Sequence, residues 1–138
     1  MPNGDPDVFD WLETWQSLIN SGDFESARPL FSPDIVAFGT VTGFMRTLPV
    51  LEERQWRQVW GKIKDFEFEK DTAAVFRDGR SDLVTVACLW HSLGQMRSSW
   101  YQRRGRVTLV LRHTDAGFQC LHSHFSMEPG IPPLGDEL

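Results

Sequence analysis

The sequence is poor in cysteine, in tyrosine and in unbroken apolar runs, and each shortage excludes something. Cys88 and Cys120 are the two cysteines. They are far apart and each sits in an apolar, strand-like segment, so they read as reduced core thiols rather than as a disulfide framework. No run approaches the roughly 18 consecutive apolar residues of a membrane-crossing helix. The opening Met1-Pro2-Asn3-Gly4-Asp5-Pro6-Asp7 is acidic and is not a cationic segment followed by an apolar one. No secretory signal is therefore expected, and a cytoplasmic location is. Basic residues are outnumbered as well: 14 Lys and Arg against 19 Asp and Glu leave a net charge of −5. That balance argues against a surface built to neutralise nucleic-acid phosphates or anionic lipid. The one basic cluster, Arg103, Arg104 and Arg106, is short, and a solvated strand face or a pocket cation explains it as well.

What is present is the composition of a globular domain: 138 residues, 41% hydrophobic and 12% aromatic. One domain is expected over 1–138, with an ordered core from about 7 to 128 between Pro- and Gly-rich tails. A chain of this size buries about two thirds of its unfolded surface, so it needs neither disulfide nor metal for stability. No cofactor is expected.

The apolar period divides the chain. Val8, Leu12, Trp15 and Ile19 recur at helical spacing behind Asp7, and Ser21-Gly22-Asp23 ends that helix. Asp23 then caps a short second helix carrying Phe24, Ala27, Leu30 and Phe31 as far as Ser32-Pro33. The β-branched run Asp34 to Gly39 predicts a first strand. A further helix is predicted from Thr47, with Pro49 in its first turn and Leu51, Trp56, Val59, Trp60 and Ile63 on one side. From Lys64 the period falls to two. Four long strands follow: Phe66 to Phe76, with Lys70-Asp71-Thr72 as a candidate bulge; Leu83 to His91; Trp100 to Leu111; and Phe118 to Met127. Helices followed by an antiparallel meander predict an α+β architecture: a strongly bent, cone-shaped sheet with helices on one face and a pocket between them.

Several segments resemble one superfamily. They are Phe31-Ser32-Pro33-Asp34-Ile35-Val36-Ala37-Phe38-Gly39-Thr40 after the helical opening, Gln55-Trp56-Arg57-Gln58-Val59-Trp60 before Phe66-Glu67-Phe68, Arg106-Val107-Thr108-Leu109-Val110-Leu111, and Phe118 to Ser126 with its His-x-His-x-Ser ending. In that order they resemble the nuclear transport factor 2-like superfamily with its cystatin-like fold, and in particular the SnoaL-like branch related to ketosteroid isomerase. The resemblance covers nearly the whole chain. It implies the cone-shaped fold, and it spans isomerases, cyclases, dehydratases, epoxide hydrolases and non-catalytic association domains. Fold alone does not choose among these.

The candidate site follows from strand parity. His122, His124 and Ser126 are spaced by two and so share a face, expected to include Phe118 and Cys120. At a pocket floor His124 could act as acid or base, and hydrogen-bonded structural histidines explain the same pattern. Arg106 and Thr108 share a face of the neighbouring strand, where Arg106 either recognises an anion or snorkels to the rim. Asp34, at a strand start that the family places at the pocket mouth, is the acid that could pair with His124; an exposed turn carboxylate is the alternative. Trp56, Trp60, Trp90, Phe38 and Phe44 could form an aromatic wall, with simple core packing the alternative for most of them and Trp56 and Trp60 the pair expected near the cavity. His-x-His with His91 as a third ligand lacks a carboxylate at ligand spacing, so no metal is expected. The strands Leu83 to His91 and Trp100 to Leu111 contain no Asp or Glu, and Tyr101 is the only tyrosine. Both features speak against steroid isomerase chemistry.

The expected function is thus binding of a small hydrophobic or anionic molecule, with cofactor-free acid–base chemistry as its enzymatic form. The competing expectation is a dimeric association module that binds a partner protein or peptide. Two apolar sheet faces each need a cover, and a second copy of the chain is the natural cover for the outer one, giving a homodimer.

Overall fold

A computed structural model describes residues 5–130; residues 1–4 and 131–138, which hold most of the expected tails, lie outside the described residues. Helix α1 (Pro6–Ser21) is followed by α2 (Phe24–Ala27) and a 3₁₀ turn at Arg28–Leu30. Strand β1 (Phe31–Phe38) and the short β2 (Met45–Arg46) precede a helical segment. That segment runs from α3 (Leu48–Leu51) through a π-helical turn (Glu52–Trp56) into α4 (Arg57–Val59) and a 3₁₀ turn (Trp60–Lys62). Four long strands then close the fold: β3 (Ile63–Arg77), β4 (Leu83–Met96), β5 (Ser99–Thr114) and β6 (Gly117–Met127).

One six-stranded sheet results, in the order β2-β1-β6-β5-β4-β3. The four long strands pair antiparallel in sequence order, whereas β1 lies parallel to β6. This parallel join extends the expected meander into a mixed sheet. Strand β1 also starts earlier than Pro33 would suggest. Its register with β6 shifts between Phe31 and Val36, so Pro33, which has no N–H to give, stands in an irregularity. Asp23 caps α2 as expected, its Oδ1 accepting from Ser26 N at 3.0 Å.

The core lies between the helices and the concave face. From α1, Val8, Trp11, Leu12, Trp15 and Ile19 are buried, and Trp15 meets Phe31, Phe68 and Phe125 with ring centroids 4.8 to 5.6 Å apart. The same helix covers an edge of the sheet. Asn20 bonds the backbone of Phe66 through both its amide groups (2.8 and 2.9 Å), and Gln16 Oε1 accepts from Phe68 N at 2.9 Å. Side chains thus satisfy part of the open ladder of β3 and blunt it against pairing with another strand.

Register shifts set which residues face the core, among them one in β3 beyond Glu69 and one in β6 at Leu121. In β3 the partner of Leu89 is Glu69 and that of Ala87 is Ala74, so the chain bulges over Lys70–Ala73, where the sequence places an interruption. Thr72 Oγ1 ties the bulge off, donating to Glu69 O at 2.6 Å and accepting from Leu89 N at 2.9 Å. In β6 Leu111 pairs with Cys120 but Val110 pairs with His122, which leaves Leu121 as an extra residue. A single extra residue reverses side-chain alternation from that point on.

Candidate functional site

The Leu121 bulge separates the residues that strand parity groups together. Phe118 and Cys120 face the core, but beyond the bulge it is Ser123 and Phe125 that turn inward. His122, His124 and Ser126 therefore lie on the outer face, in a different environment from Phe118 and Cys120. On β5 the residues Val107, Leu109 and Leu111 are buried, so Arg106 and Thr108 also face outward. There Arg106 Nε donates to Ser126 Oγ at 3.1 Å, and Thr108 is the cross-strand partner of His124. His122 Nδ1 donates to the Val36 carbonyl at 2.7 Å, which places a proton on that nitrogen. Phe38 packs edge-on against both imidazoles, at 5.2 Å from His122 and 5.0 Å from His124.

Asp34 is exposed near the start of β1, and its own N–H takes the Ser32 hydroxyl as acceptor at 3.2 Å. His124 pairs instead with Phe38 at the far end of that strand, so the structure does not bring Asp34 and His124 together. His91 stands two strands from His122 and His124, with Nδ1 2.9 Å from Glu69 and Nε2 3.5 Å from Glu67. Among the described residues no group of three or more His, Cys, Asp or Glu is placed to hold a metal ion.

A cavity of about 40 Å³ lies under the helices, walled by Trp15, Trp56, Trp60, Phe66, Trp90 and Phe125. Trp56 and Trp60 stack at 4.7 Å between centroids, one turn apart on the segment that roofs the sheet. Trp90 anchors the floor, its Nε1 donating to Arg106 O at 3.2 Å. Phe38 contributes at the rim, although its ring packs on the outer-face histidines. The polar lining consists of Arg103, Ser123, Thr40 and Gln55; no carboxylate and no imidazole lines the cavity.

Arg103, named in the sequence only as one of a basic cluster with a pocket cation among its readings, is the arginine that lines the cavity. It is 8% exposed, and among the described residues no carboxylate comes within salt-bridge distance of it. Its partners are neutral and long: Ser92 Oγ and Thr40 Oγ1 at 3.4 Å each, Met127 Sδ at 3.7 Å, and the Trp90 ring at 5.3 Å. Burial pulls its guanidinium below the usual arginine range, partly offset by the neighbouring Tyr101. Gly94 makes this placement possible. A Cβ there would fall 2.7 Å from Arg103 Cδ and 2.7 Å from the Tyr101 ring, closer than real side chains approach. A signal was available in the sequence: Arg103 shares odd parity with Val107, Leu109 and Leu111, so the pattern that buries them buries it too. Trp15 lines the cavity as well, and its buried indole N–H has no acceptor.

The buried charge elsewhere is fully paired. Glu52, in the π-helical turn, accepts from Arg28 at 2.7 and 2.9 Å and from Arg57 at 2.6 and 3.0 Å. These guanidinium bonds, Arg28 foremost, outweigh burial and hold its carboxyl down at about 2. The contrast with Arg103 is one of chemistry: one buried charge is satisfied from within the chain, and the other has only neutral groups around it.

Comparison with known proteins agrees with this architecture. No curated protein matches the sequence. A nuclear transport factor 2-like superfamily protein from Salmonella enterica superposes with a TM-score of 0.78 at 17% identity, covering 96% of this chain and 95% of that one. A candidate dehydratase of the NTF2-like family from Streptomyces avermitilis gives 0.77 at 16% identity, covering 94% and 100%. A candidate calcium/calmodulin-dependent protein kinase II association domain from Xanthomonas campestris gives 0.76 at 19%, covering 90% and 87%. At these identities the likeness is one of fold. The sequence profile of the SnoaL-like domain matches residues 8–129, and the chain belongs to the SnoaL-like domain family.

Proposed function

We propose that this SnoaL-like domain binds a small carboxylate-type anion in its aromatic cavity, with Arg103 as the counter-charge. The observation that carries the reading is a buried arginine, Arg103, at the cavity, whose guanidinium has only neutral partners at 3.4 Å or more. Buried charges are ordinarily paired, and a bidentate carboxylate is the partner that a guanidinium fork fits best. The Trp15 indole N–H and the Ser123 hydroxyl offer further donors, and the tryptophan walls suit a short apolar tail. Size narrows the class. Drug-sized ligands occupy pockets of about 300 Å³ or more. The cavity's about 40 Å³ holds roughly three waters, or an anion of about that bulk such as acetate or propionate.

The lining favours binding over acid–base catalysis. Neither His124 nor Asp34, the groups expected to move protons, reaches it. Titration calorimetry with propionate and with its neutral isostere propionamide tests the reading. Propionate is expected to bind, propionamide to bind at least about tenfold more weakly, and Arg103→Gln to lose the preference. Equal binding of acid and amide would refute it.

A second reading, compatible with the first, is that the outer face joins a second copy of the chain. The observation favouring it is apolar exposure on the face away from the helices: Phe76 is 60% exposed and Leu89 43%. The name of the Xanthomonas neighbour, an association domain, supports it. Sedimentation velocity on the wild type and on Phe76→Asp is the test, with a dimer expected for the first and a shift to monomer for the second.

A further inference from the structure

The cavity's small volume has an identifiable cause. Between β1 and β2 the chain runs over the cavity as a strap, residues 39–44, of which Gly39 and Thr40 line it. Gln55, which lines the cavity too, holds this strap by three bonds. Its Oε1 accepts from Val41 N at 3.0 Å and from Thr42 N at 3.2 Å, and its Nε2 donates to Thr40 Oγ1 at 2.8 Å. The fit is close: a Cβ on Gly39 would fall 2.3 Å from Gln55 Oε1, so a glycine is needed where the strap crosses the amide.

The two sides of this contact differ in firmness. Gln55 belongs to the π-helical turn, fixed on one side by buried Trp56 and on the other by Glu52 between Arg28 and Arg57. Such turns recur at functional sites. The strap contributes little burial, with Val41 59% and Phe44 53% exposed. Outside Gln55 its hydrogen bonds are Gly39 N to Thr42 O and Thr42 Oγ1 to Arg54 O, at 3.0 Å each, and the longer Arg103 Nη2 to Thr40 Oγ1 at 3.4 Å. A segment with few buried contacts opens at low cost once its fastening is gone. The fastening also reaches the anion site, because Thr40 Oγ1 accepts from both Gln55 and Arg103.

We infer that Gln55 is the size-determining residue of the cavity: by latching the strap it restricts the site to anions of a few heavy atoms and excludes bulkier aryl carboxylates. This rests on the reading of Arg103 as the anion's partner. Acetate and phenylacetate serve as probes, titrated into the wild type, Gln55→Ala and Gln55→Leu, with amide hydrogen exchange followed in parallel. The wild type is expected to favour acetate by about tenfold or more. In both variants the phenylacetate-to-acetate affinity ratio should rise at least about fivefold over that of the wild type. The Val41 and Thr42 amides should exchange faster in both, while the β4 and β5 amides keep their protection and report an intact fold. Gln55→Leu separates latch from volume, since it keeps the bulk and removes the bonds. An unchanged acetate-to-phenylacetate ratio in the two variants overturns the latch and leaves the anion site standing. A gain confined to Gln55→Ala overturns it as well, because bulk alone would then set the size. Absence of acetate binding to the wild type overturns the anion site, and the inference with it.

Discussion

The two faces of one sheet carry the same residue types to opposite ends. On the concave face the arginine, Arg103, is enclosed by Trp90, Ser92, Thr40 and Met127. On the outer face Arg106, three positions along the same strand, is exposed and bonded to a serine. Tryptophan and phenylalanine fill the concave side, while the outer side mixes His122, His124 and Thr108 with half-exposed apolar residues. Chemistry that looks catalytic in one dimension is thus surface, and a residue that looks like part of a basic patch is the buried charge. Environment, set by parity and one bulge, decides the role.

The sharpest way to break this contrast is to remove the bulge. Deleting Leu121 would restore strict alternation in β6, turn His122 and His124 toward the core and push Phe125 and Ser123 out. Loss of the cooperative unfolding transition by circular dichroism is expected; a stable, cooperatively folding deletion would contradict the role given to Leu121.

Truncating the concave face comes next. Trp90→Ala removes a side chain 1% exposed that packs on Phe66 and under Arg103, and should cost about 3–5 kcal/mol in urea denaturation. The matched outer change, Phe76→Ala, should cost under about 0.5 kcal/mol at protein concentrations where the chain is monomeric. Equal losses would erase the distinction between the faces.

Glu52→Gln probes the paired buried charge and should destabilise by about 1–3 kcal/mol at neutral pH. Because the folded carboxyl sits near about 2 against an ordinary 4.5, its contribution is fully present above 4.5. It is lost as pH falls toward about 2. The gap between wild type and variant should therefore stay level at higher pH and narrow through that window. A gap that widens on acidification would reverse the sign and refute the pairing.

The smallest effect concerns the thiols. Burial pushes Cys88 up to about 12 and Cys120 higher still, so neither is a thiolate at neutral pH. The native protein should leave a disulfide reagent unreacted at pH 8, and both thiols should titrate once urea unfolds the chain. Rapid reaction of the folded protein would show the concave face to be open.

Much of the fold is legible in the amino-acid order because local signals and burial agree there. The stripe from Val8 to Ile19 gives α1, and the period-two runs give the four long strands. Trp56 and Trp60, read as an aromatic pair one turn apart, do line the cavity. The helix from Thr47 is legible as a helix but not as a broken one. The π-helical turn begins at Glu52, which is bonded to Arg28, a partner outside the segment that no local signal names. The parallel join of β1 to β6 is likewise a long-range pairing with no local signature. The grouping of Phe118 and Cys120 with His122, His124 and Ser126 on one face carries parity across Leu121, and the extra residue there leaves no mark in composition. Arg103 is not singled out from its neighbours: beside Arg104 and Arg106 it reads equally as solvated strand face or pocket cation, although its odd position matches Val107 and Leu109.

The claim that the concave face carries the anion is tested most directly by following arginine Nε–Hε resonances as propionate is added. The account predicts that the Arg103 resonance shifts and saturates while that of Arg106 stays in place. Movement of Arg106 with the His124 ring signals, and a stationary Arg103, would put the anion on the outer face and contradict it.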